Sequence, residues 1–523
     1  MKRFCQSAKW IHPVVLASAF SLPSVASAQI RLSDDTLPML ISESEPPHTE
    51  ETTTDSEYFV SAPSYAPMPA AEPTQPAKSE KAKAEELKKK VNGAYKDPFY
   101  LNDFSYLKDP KYNDHHIGEG LKQIPVGDQG KLDVGGQYRL RFHHEHNMRG
   151  LGLTGRDDSF LLDRTRLYMN YKMNSRIRLY GELLDAGSSY ENFASRAIEV
   201  QHLDAQNLFG DLVLAEDCCG KWTIRGGRQE LLLGSQRLIS PLDWANTRRT
   251  FEGGRLTRSS DTSSTDFLLV RPMNVYTEHF DSPNQNQALW GVYHSDKSCK
   301  TFPIDTYYFG YEDTRTNTHV QTLGTALKGE NGNLLWDHEL GYQFGRNSDG
   351  SDISACALTF GAGRKLQGDR KPSLMLYYDW ASGDDSVNNG WNHLFPLGHK
   401  YLGFMDFYGR RNLHDFNALY TVNATDHFTV LAWYHYFLLS NDNQGPYNVT
   451  LTPFNSGGTV GSRDLGHEID LLGTYKIGPR SDLVLGYSHF FAGDYYSTSV
   501  TSANAPLFSR DADFFYTQWH INF

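Results

Sequence analysis

The chain has 523 residues, 39% hydrophobic residues and a mean hydropathy of −0.54, which excludes a bundle of apolar membrane-spanning helices. Its net charge of −12 argues against a nucleic-acid partner, and five cysteines in this length exclude a disulfide scaffold. Aromatic residues nevertheless reach 13%, so any membrane contact is expected through strands rather than helices.

Residues 1–28 read as a signal peptide. Lys2, Arg3 and Lys9 form a basic start, residues 11–22 are mostly apolar, and Ala26-Ser27-Ala28 has the small-x-small form of a cleavage site. The apolar stretch falls short of the roughly 20 residues a spanning helix needs, so export is expected. Residues 29–130 read as a largely disordered periplasmic linker rich in Pro, Glu and Lys. Residues 29–76 have almost no periodic apolar positions and bury too little surface to offset their ordering entropy. Residues 77–91 favour a short helix with only Leu87 and Val91 as anchors. It is expected to be a transient solvated element, or else a contact for periplasmic secretion partners. The stretch YKDPFYLNDFSYL at 95–107 is aromatic enough to dock, and a plug or collar at a barrel mouth is the placement it invites.

From residue 131 the period becomes two. Leu132, Val134, Tyr138, Leu140 and Phe142 alternate with Asp133, Gln137, Arg139, Arg141 and His143, and in a strand those sets point to opposite faces. One such segment suits a soluble sandwich equally well, and repetition discriminates. Eighteen strand candidates start near residues 132, 160, 176, 198, 221, 251, 265, 287, 304, 319, 334, 353, 371, 412, 427, 465, 483 and 511. Connectors alternate between tight (174–175, 330–333, 478–481) and long (145–159, 382–411, 441–464, 497–510). The expected fold is all-β, a large antiparallel transmembrane β-barrel of about 18 strands over residues 131–523, with short periplasmic turns and long extracellular loops. The segment DADFFYTQWHINF at 511–523 sets Phe515, Thr517, Trp519 and Ile521 on one face. Its aromatic Phe523 resembles the recognition signal of bacterial outer-membrane barrels.

A barrel of this size encloses more room than side chains fill, so an aqueous channel is expected. The inward residues of the early strands are cationic (Arg139, Arg141, Arg164, Arg166, Lys172, Arg176, Arg178), and those of later strands are acidic (Asp337, Glu339, Asp379, Glu468, Asp470). Such a wall sets up a transverse field in a low-dielectric shell, and guanidiniums bind carboxylates in a bidentate way. The alternative is that these charges pair across the lumen and hold the barrel round.

Residues 227–256 (GRQELLLGSQRLISPLDWANTRRTFEGGRL) and 395–407 (FPLGHKYLGFMDF), the latter followed by Asn412-Leu413-His414-Asp415, resemble signatures of the alginate-export outer-membrane porin family. The resemblance covers the barrel from about 131 to 523. It implies an eighteen-stranded channel for an anionic polysaccharide. Around the first stretch, Trp222 and Ile224 are expected to face lipid, Gly226-Gly227 to absorb a phase slip, and Leu231 to face lipid again, which turns Arg228 and Glu230 inward. Arg237, Asp243, Arg248 and Arg249, with Trp244 and Asn246, are expected on a loop folded into the lumen as a constriction that contacts carboxylates. A surface loop tied down by Arg–Asp pairs is the alternative. In the second stretch, His399, Lys400 and Asp406 stand among Phe, Leu, Tyr and Met, the composition of another inward loop that lines or gates the path.

One count points the other way. Residues 131–523 hold 36 Lys+Arg against 44 Asp+Glu, a net of about −8, which leaves room for neutral or cationic cargo. No G-x-S-x-G, H-E-x-x-H or C-x-x-C is present. On a strand His144 and His146 point away from His143 and Glu145, so no metal tripod forms there. Cys218, Cys219 and Cys299 fall in two periplasmic turns four strands apart, too far for a bridge between them, which leaves a strained Cys218–Cys219 pair or free thiols. The sequence thus points to a monomeric, non-enzymatic channel among outer-membrane lipids, with no cofactor, that passes an acidic polysaccharide or its fragments. A porin for neutral sugars, organic acids or ions is the alternative.

Overall fold

The computed structural model describes residues 80–218, 220–383 and 390–523. The expected signal peptide, the linker as far as residue 79, and Cys219 lie outside the described residues. Eighteen antiparallel strands form one closed ring: β1 (Gly130–His146), β2 (Asp158–Lys172), β3 (Ile177–Ser189), β4 (Gln201–Asp217), β5 (Gly220–Gln229), β6 (Phe251–Ser259), β7 (Ser263–Asn274), β8 (Gln287–Asp296), β9 (Ile304–Asp313), β10 (Thr318–Asn331), β11 (Leu334–Arg346), β12 (Asp352–Lys365), β13 (Ser373–Ala381), β14 (Leu413–Asn423), β15 (Phe428–Leu439), β16 (Asp464–Gly478), β17 (Ser481–Ala492) and β18 (Ala512–Asn522). Each begins within three residues of its expected start. The ring closes where β1 meets β18, from Gln137 opposite Asn522 to His146 opposite Asp513. Gly136 and Phe523 extend that seam by exchanging N–H···O bonds of 2.9 Å in both directions.

The wall inverts the burial of a soluble protein. On the outer face Leu269 of β7 and Met169 of β2 are 67% and 54% exposed, and Leu179, Leu340 and Leu376 share that face. Moved from water into hydrocarbon, each such side chain contributes on the order of 1.5–3 kcal/mol. The inner face carries buried Arg164, Glu182, Asn207 and Thr359. Backbone pairing around a closed ring leaves no polar edge facing lipid. Tight turns such as 173–176, 332–333 and 479–480 lie at one end, and the long connections 230–250, 382–412, 440–463 and 493–511 at the other.

The interior is packed from both ends. From the long-loop end, Leu242, Trp244 and Ala245 join Leu402, Phe404, Met405 and Phe407 against Phe437, Phe490 and Tyr516 of the wall. A second apolar cluster sets Leu231, Leu238 and Ile239 against Phe251, Leu289, Phe309 and Trp391. From the other end comes a segment expected to belong to a disordered linker. It follows α1 (Glu80–Asn92) and contains short 3-10 turns at Phe99–Leu101, Ser105–Lys108 and Glu119–Leu121. Residues 94–122 are not a linker. Phe99 and Tyr100 are buried against Tyr168, Tyr180 and Phe209 of the wall, which supplies the apolar surface that the segment lacks by itself. The docking expected of 95–107 is therefore present, and within the lumen. α1 contributes Val91 to a small cluster with Ala94, Phe104 and Tyr106, while most of its other described side chains are exposed. Gly118 has φ of 81°, and a Cβ there would stand 2.3 Å from the backbone carbonyl carbon of Phe523, so only glycine lets the segment seat against the seam.

Three local expectations are corrected. The ladders on both sides of β5 run through Gly226 and Gly227 without a slip. Arg228 therefore keeps the parity of Ile224 and lies opposite Leu208, which is 62% exposed, on the outer face near the long-loop end. Leu231 is fully buried rather than lipid-facing, because β5 ends at Gln229 and the chain then turns into the lumen. Arg176 is exposed in the turn before β3, not on the inner wall.

Candidate functional site

Arg139 and Arg141 on β1, and Arg164 and Arg166 on β2, are each spaced by two and so share the inner face. Arg139 lies directly opposite Arg164 in the ladder, a like-charge pairing that destabilises adjacent strands unless something compensates it. The compensation comes from loop 230–250. Arg139 donates to the Asp243 carbonyl at 2.9 Å and to those of Trp244 and Ala245 at 3.3 Å. Arg164 donates to the Asp243 carbonyl at 3.1 Å and to its Oδ1 at 2.8 Å. Arg141 bonds Gln518 Oε1 at 2.9 Å and lies 3.6 Å over the Trp244 ring.

Arg248, with φ of 58°, returns from the loop to the same place. It donates to Glu230, to Asp243 and, at 2.6 Å, to Asp97 of the N-terminal segment. Arg166 bonds Glu182 at 2.6 Å and stands 3.6 Å from Asp97 and 3.7 Å from Glu230. Burial alone would raise the Asp97 carboxyl, but the guanidiniums of Arg248 and Arg166 outweigh it and hold the group below its ordinary value. Four guanidiniums (Arg139, Arg164, Arg166, Arg248) thus meet four carboxylates (Asp97, Glu182, Glu230, Asp243) at one level of the lumen. Tyr100 completes the junction by donating its hydroxyl to the Glu230 carbonyl at 2.9 Å.

The strand arginines are therefore engaged rather than bare. Arg139, Arg141, Arg164 and Arg166 are all at most 2% exposed. Pairing extends to the acidic arc, where Arg237 reaches Asp337 at 3.0 Å and Glu339 at 3.2 Å, and Arg410 reaches Asp379 at 3.2 Å. Of the expected site residues, Arg139, Arg141, Arg164, Arg166, Glu230, Asp243 and Arg248 converge, with Arg237 on the same loop. His399 and Asp406 form a separate buried pair, Nδ1 to Oδ2 at 2.7 Å, with His399 stacked 4.4 Å from Trp244. Burial pushes the Asp406 carboxyl well above its ordinary value and the His399 imidazole well below its own. Lys400 ends a short 3-10 turn beside the Tyr401 ring. Arg228 stands apart, bonded to Asp204 at 2.9 Å and to the Asp281 carbonyl at 2.7 Å. Arg249 donates to the Pro396 carbonyl at 3.2 Å, and among the described residues no carboxylate pairs with it. Asp97, Glu182 and Gln518 are partners that sequence reasoning did not single out.

Among solved structures, Acinetobacter baumannii OccAB1 aligns with a TM-score of 0.51 at 11% identity, over 75% of this chain and 96% of that one. Pseudomonas aeruginosa OpdK, crystallised with vanillate, aligns at 0.51 and 11%, over 75% and 98%. Pseudomonas aeruginosa OpdQ aligns at 0.50 and 14%, also over 75% and 98%. These likenesses are of fold. A closed eighteen-strand ring with an apolar outer face and a polar, loop-packed lumen, in a chain whose residues 130–509 match an export family of the outer membrane, is a channel of the porin class in the bacterial outer membrane. The family described as alginate export matches residues 130–509, and the chain belongs to that family. No curated protein matches the sequence. Family and fold alike are those of channels.

Proposed function

We propose that the channel conducts a carboxylate-bearing polysaccharide, alginate-like in charge, or its oligosaccharides, as a monomer and along the arginines of β1 and β2. The observation that carries this reading is the convergence of Arg139, Arg164, Arg166 and Arg248 on carboxylates and carbonyls supplied by an inward loop and the N-terminal segment rather than by the wall alone. A guanidinium that leaves a loop carboxylate for a cargo carboxylate exchanges one charged partner for another, so no charge is left bare in a low-dielectric lumen. Arg249, which no carboxylate pairs with among the described residues, and Lys400 extend the cationic path toward the long-loop end, and the His399–Asp406 pair holds the second loop against Trp244.

Single-channel conductance tests the reading. Uronate oligomers are expected to block the current, and neutral oligosaccharides of equal length to leave it unchanged. Blockade by the neutral sugars with none by uronates overturns it. A second reading, small organic acids as cargo, is favoured by the likeness to OpdK, whose structure was solved with the carboxylate vanillate. On that reading single carboxylates block as potently as oligomers.

A further inference from the structure

We propose that the gap between Arg166 and Arg248 is a carboxylate-binding site whose occupant here is the chain's own Asp97, so that residues 94–122 form an internal stopper displaced by a permeating carboxylate. This deepens, and rests on, the reading of the channel as a carboxylate conductor.

Asp97 differs from the other three carboxylates of the cluster in where it comes from. Glu182 belongs to β3, and Glu230 and Asp243 to the loop that leaves β5. Asp97 alone arrives on a segment outside the ring. Counting the guanidiniums that reach these carboxylates, and leaving aside Arg141 on Gln518 and the Trp244 carbonyl, four face four with Asp97 in place. With it withdrawn, one positive charge remains uncompensated, on two guanidiniums already oriented by Glu182, Glu230 and Asp243. Such a pre-oriented, cation-excess gap selects a carboxylate.

The surroundings of Asp97 also match what a charged sugar presents. Phe99 lies under Arg166 at 3.9 Å, and Tyr100 sits edge-on to Tyr180 and Phe209 at 5.9 and 5.3 Å. Phe99 and Tyr100 leave with the segment and uncover the wall rings Tyr168, Tyr180 and Phe209 beside the cationic gap, and the C–H face of a sugar ring packs on aromatic faces of this kind. The inner end of the segment is held by four hydrogen bonds (Asp97 to Arg248, the Tyr100 hydroxyl to the Glu230 carbonyl, Arg178 to the Tyr100 carbonyl at 2.9 Å, Asn102 to Tyr168 at 3.3 Å), by Arg166 beside Asp97 and Phe99, and by the packing of Phe99 and Tyr100 on wall aromatics. Its base is tied more firmly to the ring. Lys122 Nζ donates to the carbonyls of Val134 and Phe523, the Gln123 N–H to Asp133 at 2.7 Å, and Arg480 to the Val91 carbonyl and the Tyr106 hydroxyl. The inner-end polar contacts are ones a cargo carboxylate and its ring can replace, whereas the base is tied to the ring's own backbone, so on this proposal the inner end is exchanged while the base stays.

The test uses the full mature chain in planar bilayers, with Asp97→Asn as the variant and a uronate trimer as the probe. Removing the built-in competitor is expected to raise the resting current several-fold and to lower the half-blocking trimer concentration about tenfold; Asp97→Glu is expected to restore both toward wild type. Wild-type current and wild-type blockade in the Asp97→Asn protein overturn the stopper. If the trimer fails to block even the wild-type channel, the cargo reading falls, and the resting current of Asp97→Asn still decides the stopper. A measurement on unaltered protein stands beside these. Trypsin cleavage after Lys96 is expected to quicken at least threefold when the trimer is added, and a rate unmoved by saturating trimer overturns the proposal.

Discussion

Arg237, carried inward on the loop after β5, donates to both carboxylate oxygens of Asp337 on β11, at 3.0 and 3.2 Å, and a further bond runs to Glu339 at 3.2 Å. One guanidinium thereby bridges two neighbouring wall acids and pins the loop to the far side of the lumen. Arg237→Ala leaves both acids buried without that partner, a loss of about 3–5 kcal/mol for a pair of this kind. The expected result is a lower unfolding temperature, read as heat-modified migration on gels, and a noisier single-channel current. Arg237→Lys is expected to recover only part of the loss, because an ammonium lacks the planar fork.

Trp244 is expected to matter through packing. It is fully buried, stacked on His399 and crossed by Arg141, so it links the two inward loops to β1. Trp244→Ala removes a large buried ring at a cost of about 3–5 kcal/mol. Thermal unfolding in detergent should fall accordingly, and Trp244→Phe should retain more than half of the difference.

Arg228 and Arg249 are expected to separate in ion selectivity. Arg228 sits on the outer face against Asp204, whereas Arg249 has no carboxylate partner among the described residues. Arg249→Ala should shift the reversal potential in a salt gradient toward less anion preference, and Arg228→Ala should leave it in place. Equal shifts from the two variants would contradict the assigned faces.

Acid is expected to loosen the second inward loop. Burial first, then the nearby charges of Arg249, Arg410 and Arg411, hold the His393 imidazole down to about 3, and its Nδ1 accepts the Arg410 N–H at 3.3 Å. With the folded value below the unfolded one of about 6.5, the unfolded loop takes up the proton first. The contribution is complete above pH 6.5 and is lost progressively as pH falls toward 3. Conductance between pH 7 and pH 4 should show more frequent loop openings, and His393→Phe should flatten that dependence.

The wall was legible in the sequence because a period of two, repeated eighteen times, leaves one face for lipid and one for the lumen. The inward turn of residues 395–407 was also legible, since Phe, Leu, Tyr and Met in a long loop need a place to be buried. Two things were not. The parity of Arg228 depended on whether the ladder slips at two glycines, and glycine permits a slip without requiring one. The role of Asp97 was hidden because residues 94–122 follow neither period. Short 3-10 turns bring Phe99 and Tyr100 against wall aromatics that lie more than sixty residues away in the chain. Which arginine meets which acid is set by register around the ring, and local spacing carries no information about it.

The face-to-face placement of Arg139 and Arg164 bears on any effort to turn this protein into a wide nanopore. Excising the 230–250 loop would not leave a clean pipe. It would strip the carbonyls and the carboxylate that keep two adjacent strands from repelling each other, and the hairpin next to the seam would be the first part to splay. An engineer who wants the bore empty must first redesign the two guanidiniums, because the contents of this barrel are also its bracing.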